Sequence, residues 1–88
     1  MVQEIVVVLA AEGLHARPAS DFARACTGVA ASVKVSKPGF DAVRGDSVLS
    51  LMTLAAKCGD RLLIQVTGEG ELELLEQLKG IVSGIETD

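Results

Sequence analysis

The pattern of apolar residues changes from strand-like to helix-like and back along this chain, and that alternation constrains its fold more than any other feature. Residues 2–9 are rich in β-branched side chains and almost continuously apolar, which predicts a strand with much of both faces covered. Phe22 and Cys26 then repeat at helical spacing, with alanines beside them. They predict a helix over residues 16–27 that ends at Gly28.

The alternation continues to the end of the chain. It predicts, in order, a half-buried strand, a short partner strand, a short helix, a further strand and a closing amphipathic helix, at residues 32–37, 40–43, 48–54, 61–67 and 69–85. The order β-α-β-β-α-β-α indicates an α+β fold in which helices cover one face of a mainly antiparallel sheet. The pattern alone leaves open a ferredoxin-like arrangement of the same elements. With 88 residues, we expect one domain over residues 1–88.

Composition excludes several classes of protein. An apolar fraction of 49% excludes a disordered chain. The longest apolar run, residues 5–11, falls short of the roughly 20 residues that span a bilayer, and it lacks the basic flank of a signal peptide. We therefore expect a cytoplasmic protein without membrane insertion. A net charge of −4, with no Trp or Tyr, argues against nucleic acid as a partner.

The two cysteines, Cys26 and Cys58, are far apart and form no CxxC motif. In an unexported protein this predicts two free, largely buried thiols. A single histidine with two distant cysteines does not predict a metal site, and no sequence motif indicates a nucleotide or another cofactor.

The segment Gly-Leu-His-Ala-Arg-Pro-Ala, at residues 13–19, is the most informative for function. His15 lies in the loop that opens the first predicted helix, where free backbone N–H groups bind anions. The positive end of that helix favours a neutral imidazole, whose lone pair is a nucleophile. Arg17 can hold a phosphoryl group through two N–H donors. These features suit a phosphohistidine, although a helix start with a surface histidine would show the same pattern.

This segment resembles the active-site motif of the HPr family, the histidine-containing phosphocarriers of the bacterial phosphoenolpyruvate-dependent phosphotransferase system. The resemblance covers essentially the whole chain. It includes the chain length, the position of His15 after the first strand, the stretch Asp-Ser-Val-Leu-Ser-Leu-Met-Thr-Leu at residues 46–54, the small-residue turn at 56–59 and the closing helix.

The resemblance implies an open-faced β-sandwich, a four-stranded antiparallel sheet with three helices on one side. It also implies that His15 accepts the phosphoryl group on Nδ1 from the first protein of the system and passes it to a sugar-specific second protein. Arg17 would steady that group, and the backbone amides of Ala16 and Arg17 would contribute from the helix start.

Further roles follow from the resemblance. Ser47 matches the serine that a dedicated kinase phosphorylates in some bacteria, although it is also a good N-cap for the helix after it. Partner docking is implied for a set of residues on the first and second helices: Ser20, Arg24, Val48, Leu49 and Met52. Helical spacing assigns Leu51 and Leu54 to the core and leaves the last three on the other side of their helix.

We therefore expect a monomeric phosphocarrier, a protein that is itself reversibly phosphorylated and not an enzyme. Its partners would be the first and second proteins of the system, and a serine kinase or phosphorylase if Ser47 is used. Two alternatives stay open: a nitrogen-regulatory carrier of the same family, and a small-molecule-binding regulatory domain that would not need His15.

Overall fold

A computed structural model of the chain describes residues 1–9, 13 and 16–83. Within these ranges, four strands and three helices follow one another in the predicted order: β1 Val2–Val7, α1 Ala16–Cys26, β2 Ala31–Ser36, β3 Val43–Arg44, α2 Val48–Thr53, β4 Arg61–Gly68 and α3 Glu71–Ser83. The predicted α+β class and element order are confirmed.

The four strands form one antiparallel sheet in the order β1-β4-β2-β3. Strand β4 lies between β1 and β2, with Ile64 opposite both Glu4 and Val35. A ferredoxin-like sheet would instead place β3 between β1 and β2, so this alternative does not apply. The fold is the open-faced sandwich that the resemblance implied.

One face of the sheet carries the core. Alternate residues of β4, namely Leu62, Ile64 and Val66, are fully buried, as the two-residue period of a strand requires. They belong to a single apolar cluster with Phe22 of α1 and Leu78 of α3. The three helices therefore cover one face and leave the other to solvent.

Strand β1 is an edge strand, and the prediction that both of its faces are covered is wrong. Val6 is buried against the helices, but Ile5 is 64% exposed on the open face. A run of β-branched residues fits an edge strand as well as a central one, because strand preference does not depend on burial of both faces.

Several element ends differ from the predicted ones. The partner strand of β2 lies at Val43–Arg44, whereas residues 40–43 were predicted, and Phe40 stands in the exposed turn before it. Helix α3 begins at Glu71, not residue 69, because Gly70 has a φ angle of +72° and cannot belong to a right-handed helix; its carbonyl accepts the hydrogen bond of the Leu74 N–H at 3.0 Å. Residues 84 and 85, predicted to extend α3, lie outside the described residues.

The two thiols are free, as predicted, but only one is buried. Burial raises the pKa of the Cys26 thiol to about 12, and the charge of Asp46 adds to the shift, so this thiol is unreactive at neutral pH. Cys58 is exposed, which corrects the prediction. It lies in the turn before β4, where a small side chain need not point into the core.

Candidate functional site

The predicted phosphoryl acceptor, His15, lies outside the described residues. The structure describes what stands on either side of it in the chain. Gly13 comes two residues before it, and helix α1 begins at Ala16, directly after it. The observed start of α1 agrees with the predicted start at residue 16.

Gly13 is held against the backbone of the turn that follows α2. Its φ angle of +72° lies in the left-handed region that only glycine adopts readily. A Cβ atom at this position would collide with the carbonyl oxygen of Ala56 and would lie 3.0 Å from Cα of Lys57. Glycine is therefore required here both by conformation and by space, and the contact fixes where the chain stands two residues before His15.

The first turn of α1 offers free N–H donors and no negative charge. Backbone N–H groups at the start of a helix have no partner within the helix, which applies to Ala16 and Arg17, while Pro18 has no N–H to leave unpaired. No acidic residue occupies this turn. The arrangement can hold an anion such as a phosphoryl group.

The Arg17 side chain is exposed. Among the described residues, no carboxylate lies within 4.0 Å of its guanidinium group. A guanidinium without a neighbouring carboxylate can turn toward an incoming phosphoryl group without first breaking an ion pair. Its predicted role in phosphoryl binding stays a prediction that this geometry permits.

The residues predicted for docking differ in exposure. On α1, Ser20 is half-buried, while Arg24 is exposed and stands 4.0 Å from Asp21, a weak surface ion pair. On α2, Leu49 is 78% exposed, whereas Val48 and Met52 are half-buried and pack against the core.

The assignment of Leu51 and Leu54 to the core is confirmed, since both are fully buried. Helices α1 and α2 also contact each other. Of the three predicted docking residues on α2, Leu49 is therefore the one that is mostly exposed.

Ser47 is the N-cap of α2, as the sequence predicts. Its backbone is extended, and its hydroxyl oxygen accepts a hydrogen bond from the N–H of Ser50 at 3.2 Å. Beside it, Asp46 accepts two hydrogen bonds from the Arg44 guanidinium, at 2.9 and 3.0 Å, and these lower the pKa of the Asp46 carboxyl. The negative charge next to Ser47 is thus largely balanced by Arg44.

Sequence reasoning missed the contribution of the turn after α2 to this region. It interpreted Gly13 only as part of the histidine segment and residues 56–59 only as a small-residue turn. The two segments meet, as the contact of Gly13 with Ala56 shows. A glycine at the start of the histidine motif was the available signal, but its partner could not be found without the fold.

Within residues 1–9, 13 and 16–83, no group of three His, Cys, Asp or Glu side chains is placed to hold a metal ion. In the same part of the chain, no helix is long and apolar enough to cross a membrane.

Comparison with known proteins identifies relatives along the whole described chain. Residues 2–83 match the family described as "PTS-HPr: PTS HPr component phosphorylation site". The phosphocarrier protein HPr of Streptomyces coelicolor is 38% identical over 73 residues, which cover 83% of this chain and 78% of that protein. The HPr-like protein Crh of Bacillus subtilis is 37% identical over 82 residues, covering 93% and 95% of the two chains.

A solved structure gives the same result. The crystal structure of a phosphocarrier protein HPr from Bacillus anthracis superposes with a TM-score of 0.86 at 33% identity and covers 92% of this chain and 95% of that one. Sequence and fold therefore agree, and the chain belongs to the HPr family of phosphocarrier proteins of the phosphotransferase system.

Proposed function

We propose that this chain is a cytoplasmic carrier that accepts a phosphoryl group on His15 from the first protein of the phosphotransferase system and passes it to a sugar-specific second protein. Its family membership supports the carrier role. The choice of His15 rests on one observation: helix α1 begins at Ala16. The only histidine of the sequence therefore directly precedes the free N–H donors of that helix.

The proposed transfer needs no proton to move at the acceptor. A neutral imidazole has one nitrogen with a lone pair, and the other nitrogen keeps its hydrogen. The lone pair of Nδ1 attacks the phosphorus of the donor phosphohistidine, the N–P bond of the donor breaks, and its electron pair returns to the donor ring. The same exchange runs in reverse toward the next acceptor. The chain is thus a reacting intermediate and does not turn over alone.

The charge of the transferred group is met by α1. The phosphoryl oxygens carry negative charge throughout the transfer, and positioned donors stabilise it. The amides of Ala16 and Arg17 supply N–H donors at the helix start, and the guanidinium of Arg17 supplies two more in a fixed plane. We assign both residues to phosphoryl binding.

We assign docking to the exposed sides of α1 and α2, through Ser20, Arg24, Val48, Leu49 and Met52. Leu49 offers exposed apolar area and Arg24 offers positive charge, a combination that fits a partner with an apolar patch and acidic residues around it. Val48 and Met52 would contribute through the parts of their side chains that the core leaves uncovered.

We also propose Ser47 as a residue for regulatory phosphorylation. A phosphate on its oxygen would stand at the start of α2, where free N–H groups can donate hydrogen bonds to the phosphate oxygens. The added charge would lie next to Leu49 and would oppose an acidic partner. Incubation with a serine kinase and ATP should give one phosphoryl group that resists acid, absent in Ser47→Ala.

The carrier function is tested by phosphorylation in solution. With phosphoenolpyruvate and the first protein of the system, mass spectrometry should find one acid-labile phosphoryl group per chain, located at His15. His15→Ala should accept none while keeping its thermal unfolding transition. Phosphorylation of His15→Ala to the same extent would show that the site is wrong.

The role of Arg17 is tested in the same assay. Arg17→Lys should transfer more slowly than the original chain, because an ammonium keeps the charge but loses the planar pair of donors. Lys79→Met, which removes a positive charge from α3, serves as the control. Equal transfer rates for all three proteins would remove Arg17 from the phosphoryl site.

A further inference from the structure

Lys37, at the end of β2, is the most enclosed of the lysines that form ion pairs in the described part of the chain, with a side chain only 15% exposed. Its ammonium group has three neighbours. It donates a hydrogen bond to the carbonyl oxygen of Ala55 at 3.3 Å, stands 3.5 Å from Oδ2 of Asp60, and lies 4.5 Å from the centre of the Phe40 ring. One side chain thus joins the start and the end of residues 55–60, called here the 55–60 segment.

The 55–60 segment has internal ties of its own. The Asp60 carboxylate accepts a hydrogen bond from the N–H of Lys57 at 2.9 Å, and the Asp60 N–H donates to the Lys57 carbonyl at 2.9 Å. Ala55 has a φ angle of +50°, an uncommon conformation for a residue with a Cβ atom. The hydrogen bond from Lys37 to the Ala55 carbonyl is made in this conformation and holds it.

The 55–60 segment contacts the chain at two points before His15, namely Val8 and Gly13. At one end, the Val8 N–H donates to the Asp60 carbonyl at 2.8 Å, and the Gly59 N–H donates to the Val8 carbonyl at 2.7 Å. At the other end, Gly13 lies directly against Ala56. A shift of the 55–60 segment therefore shifts the support on both sides of residues 9–12.

We propose that Lys37 is a positioning residue for phosphoryl transfer. Together with Asp60 it holds the 55–60 segment in place. That segment positions Gly13, and Gly13 in turn positions the chain two residues before His15. Lys37 touches no reacting atom in this role. It acts by fixing the backbone at Ala56, against which Gly13 packs. The inference rests on the proposed function of His15.

The test compares Lys37→Met with a matched control, Lys79→Met. Lys79 also pairs with two carboxylates, those of Glu4 and Glu76 at 3.0 and 3.2 Å, but it joins α3 to β1 and forms no ion pair with Asp60 of the 55–60 segment. Methionine keeps the apolar stem in both variants. Each is offered as acceptor to the phosphorylated first protein, and kcat and KM are measured against the concentration of the carrier.

We expect Lys37→Met to lower kcat by roughly tenfold to a hundredfold with little change in KM, since small misplacements of a reacting group cost this much. Lys79→Met should keep both constants. Lys37→Arg should restore most of kcat, because a guanidinium can reach the same two oxygens. Equal kcat in Lys37→Met and Lys79→Met would overturn the proposal, and so would a rise in KM alone, which would indicate a docking residue.

If Lys37→Met is not folded at the assay temperature, Asp60→Asn carries the test. The asparagine oxygen can still accept the Lys57 N–H, but the charge that faces Lys37 is gone. A lowered kcat is expected there too, and an unchanged one overturns the proposal. Failure of the carrier function itself would look different, because the original chain would then take no phosphoryl group at all.

Discussion

Replacement of Gly13 by alanine offers a direct measure of how firmly the chain is held two residues before His15. The new Cβ would meet the Ala56 carbonyl oxygen and Cα of Lys57, which are both backbone atoms and cannot rotate away. The alanine would also have to adopt a φ angle of +72°. Strain and collision therefore act together at this one position.

Gly70 allows the two effects to be separated. It has the same φ angle of +72°, but a Cβ there would have nothing within 4 Å. Gly70→Ala should cost only the left-handed strain, about 1–2 kcal/mol. Gly13→Ala should add an overpacking cost of about 1–3 kcal/mol, for a total of about 2–5 kcal/mol. The loss of chain entropy in the unfolded state on Gly→Ala is common to both and cancels in the comparison.

Urea denaturation of the two variants and the original chain gives both numbers, provided that the slope m is the same for all three. Gly13→Ala should also slow phosphorylation of His15, because its Cβ pushes the chain off the turn after α2, while Gly70→Ala should leave the rate unchanged. Equal losses of stability in the two variants would refute the reasoning, since they would show that the backbone at Ala56 yields without cost.

Three further outcomes are expected. Leu49→Ser should weaken binding of the first protein by at least severalfold with almost no change in Tm, because Leu49 is mostly exposed. Met52→Ser should lower both the affinity and Tm, because Met52 also packs against the core. Calorimetry of binding measures the affinity, and calorimetry of unfolding measures Tm. Ala55→Gly should raise the free energy of unfolding by up to about 1 kcal/mol, measured in urea, because it relieves a left-handed alanine. The Lys57 N–H and Lys37 hold the pKa of Asp60 below its ordinary value of 3.8. The original chain should therefore be more stable than Asp60→Asn above pH 3.8, and this difference in the free energy of unfolding should disappear as the pH falls through the lowered pKa. A difference that does not depend on pH would contradict this.

The local features of this fold could be predicted from the sequence. The N-cap at Ser47 depends on residues a few positions apart, and so do the helix end at Gly28 and the burial of Leu51 and Leu54. Side-chain periodicity and capping report such neighbours directly. The strand order does not belong to this class, and the pattern left two arrangements open that only the pairing of β4 with β1 and β2 distinguishes.

Two of the missed features depend on segments distant in the chain, whereas the exposure of Cys58 and the start of α3 depend on local structure. Cys58 was expected to be buried because of its residue type, but its place in a turn decides its exposure. The contact of Gly13 with Ala56 and the ion pair of Lys37 with Asp60 each join parts of the chain that only the sheet brings together. Neither pair has a sequence signature, since a glycine after a strand and a lysine at a strand end are common.

A carrier that meets two different partners must keep its acceptor in one geometry without help from either. The proposed support for His15 comes from buried or enclosed groups: Gly13 is buried, and the Lys37 side chain is only slightly exposed. The proposed docking surface, in contrast, includes the exposed side chains of Arg24 and Leu49. Because the two sets of residues are separate, substitutions on the docking surface can alter the choice of partner without moving His15. Substitutions of Lys37 or Gly13 should slow two steps by the same factor, transfer from the first protein to this chain and transfer from this chain to the second protein. Unequal factors in the two directions would mean that the partners themselves set the geometry of the loop.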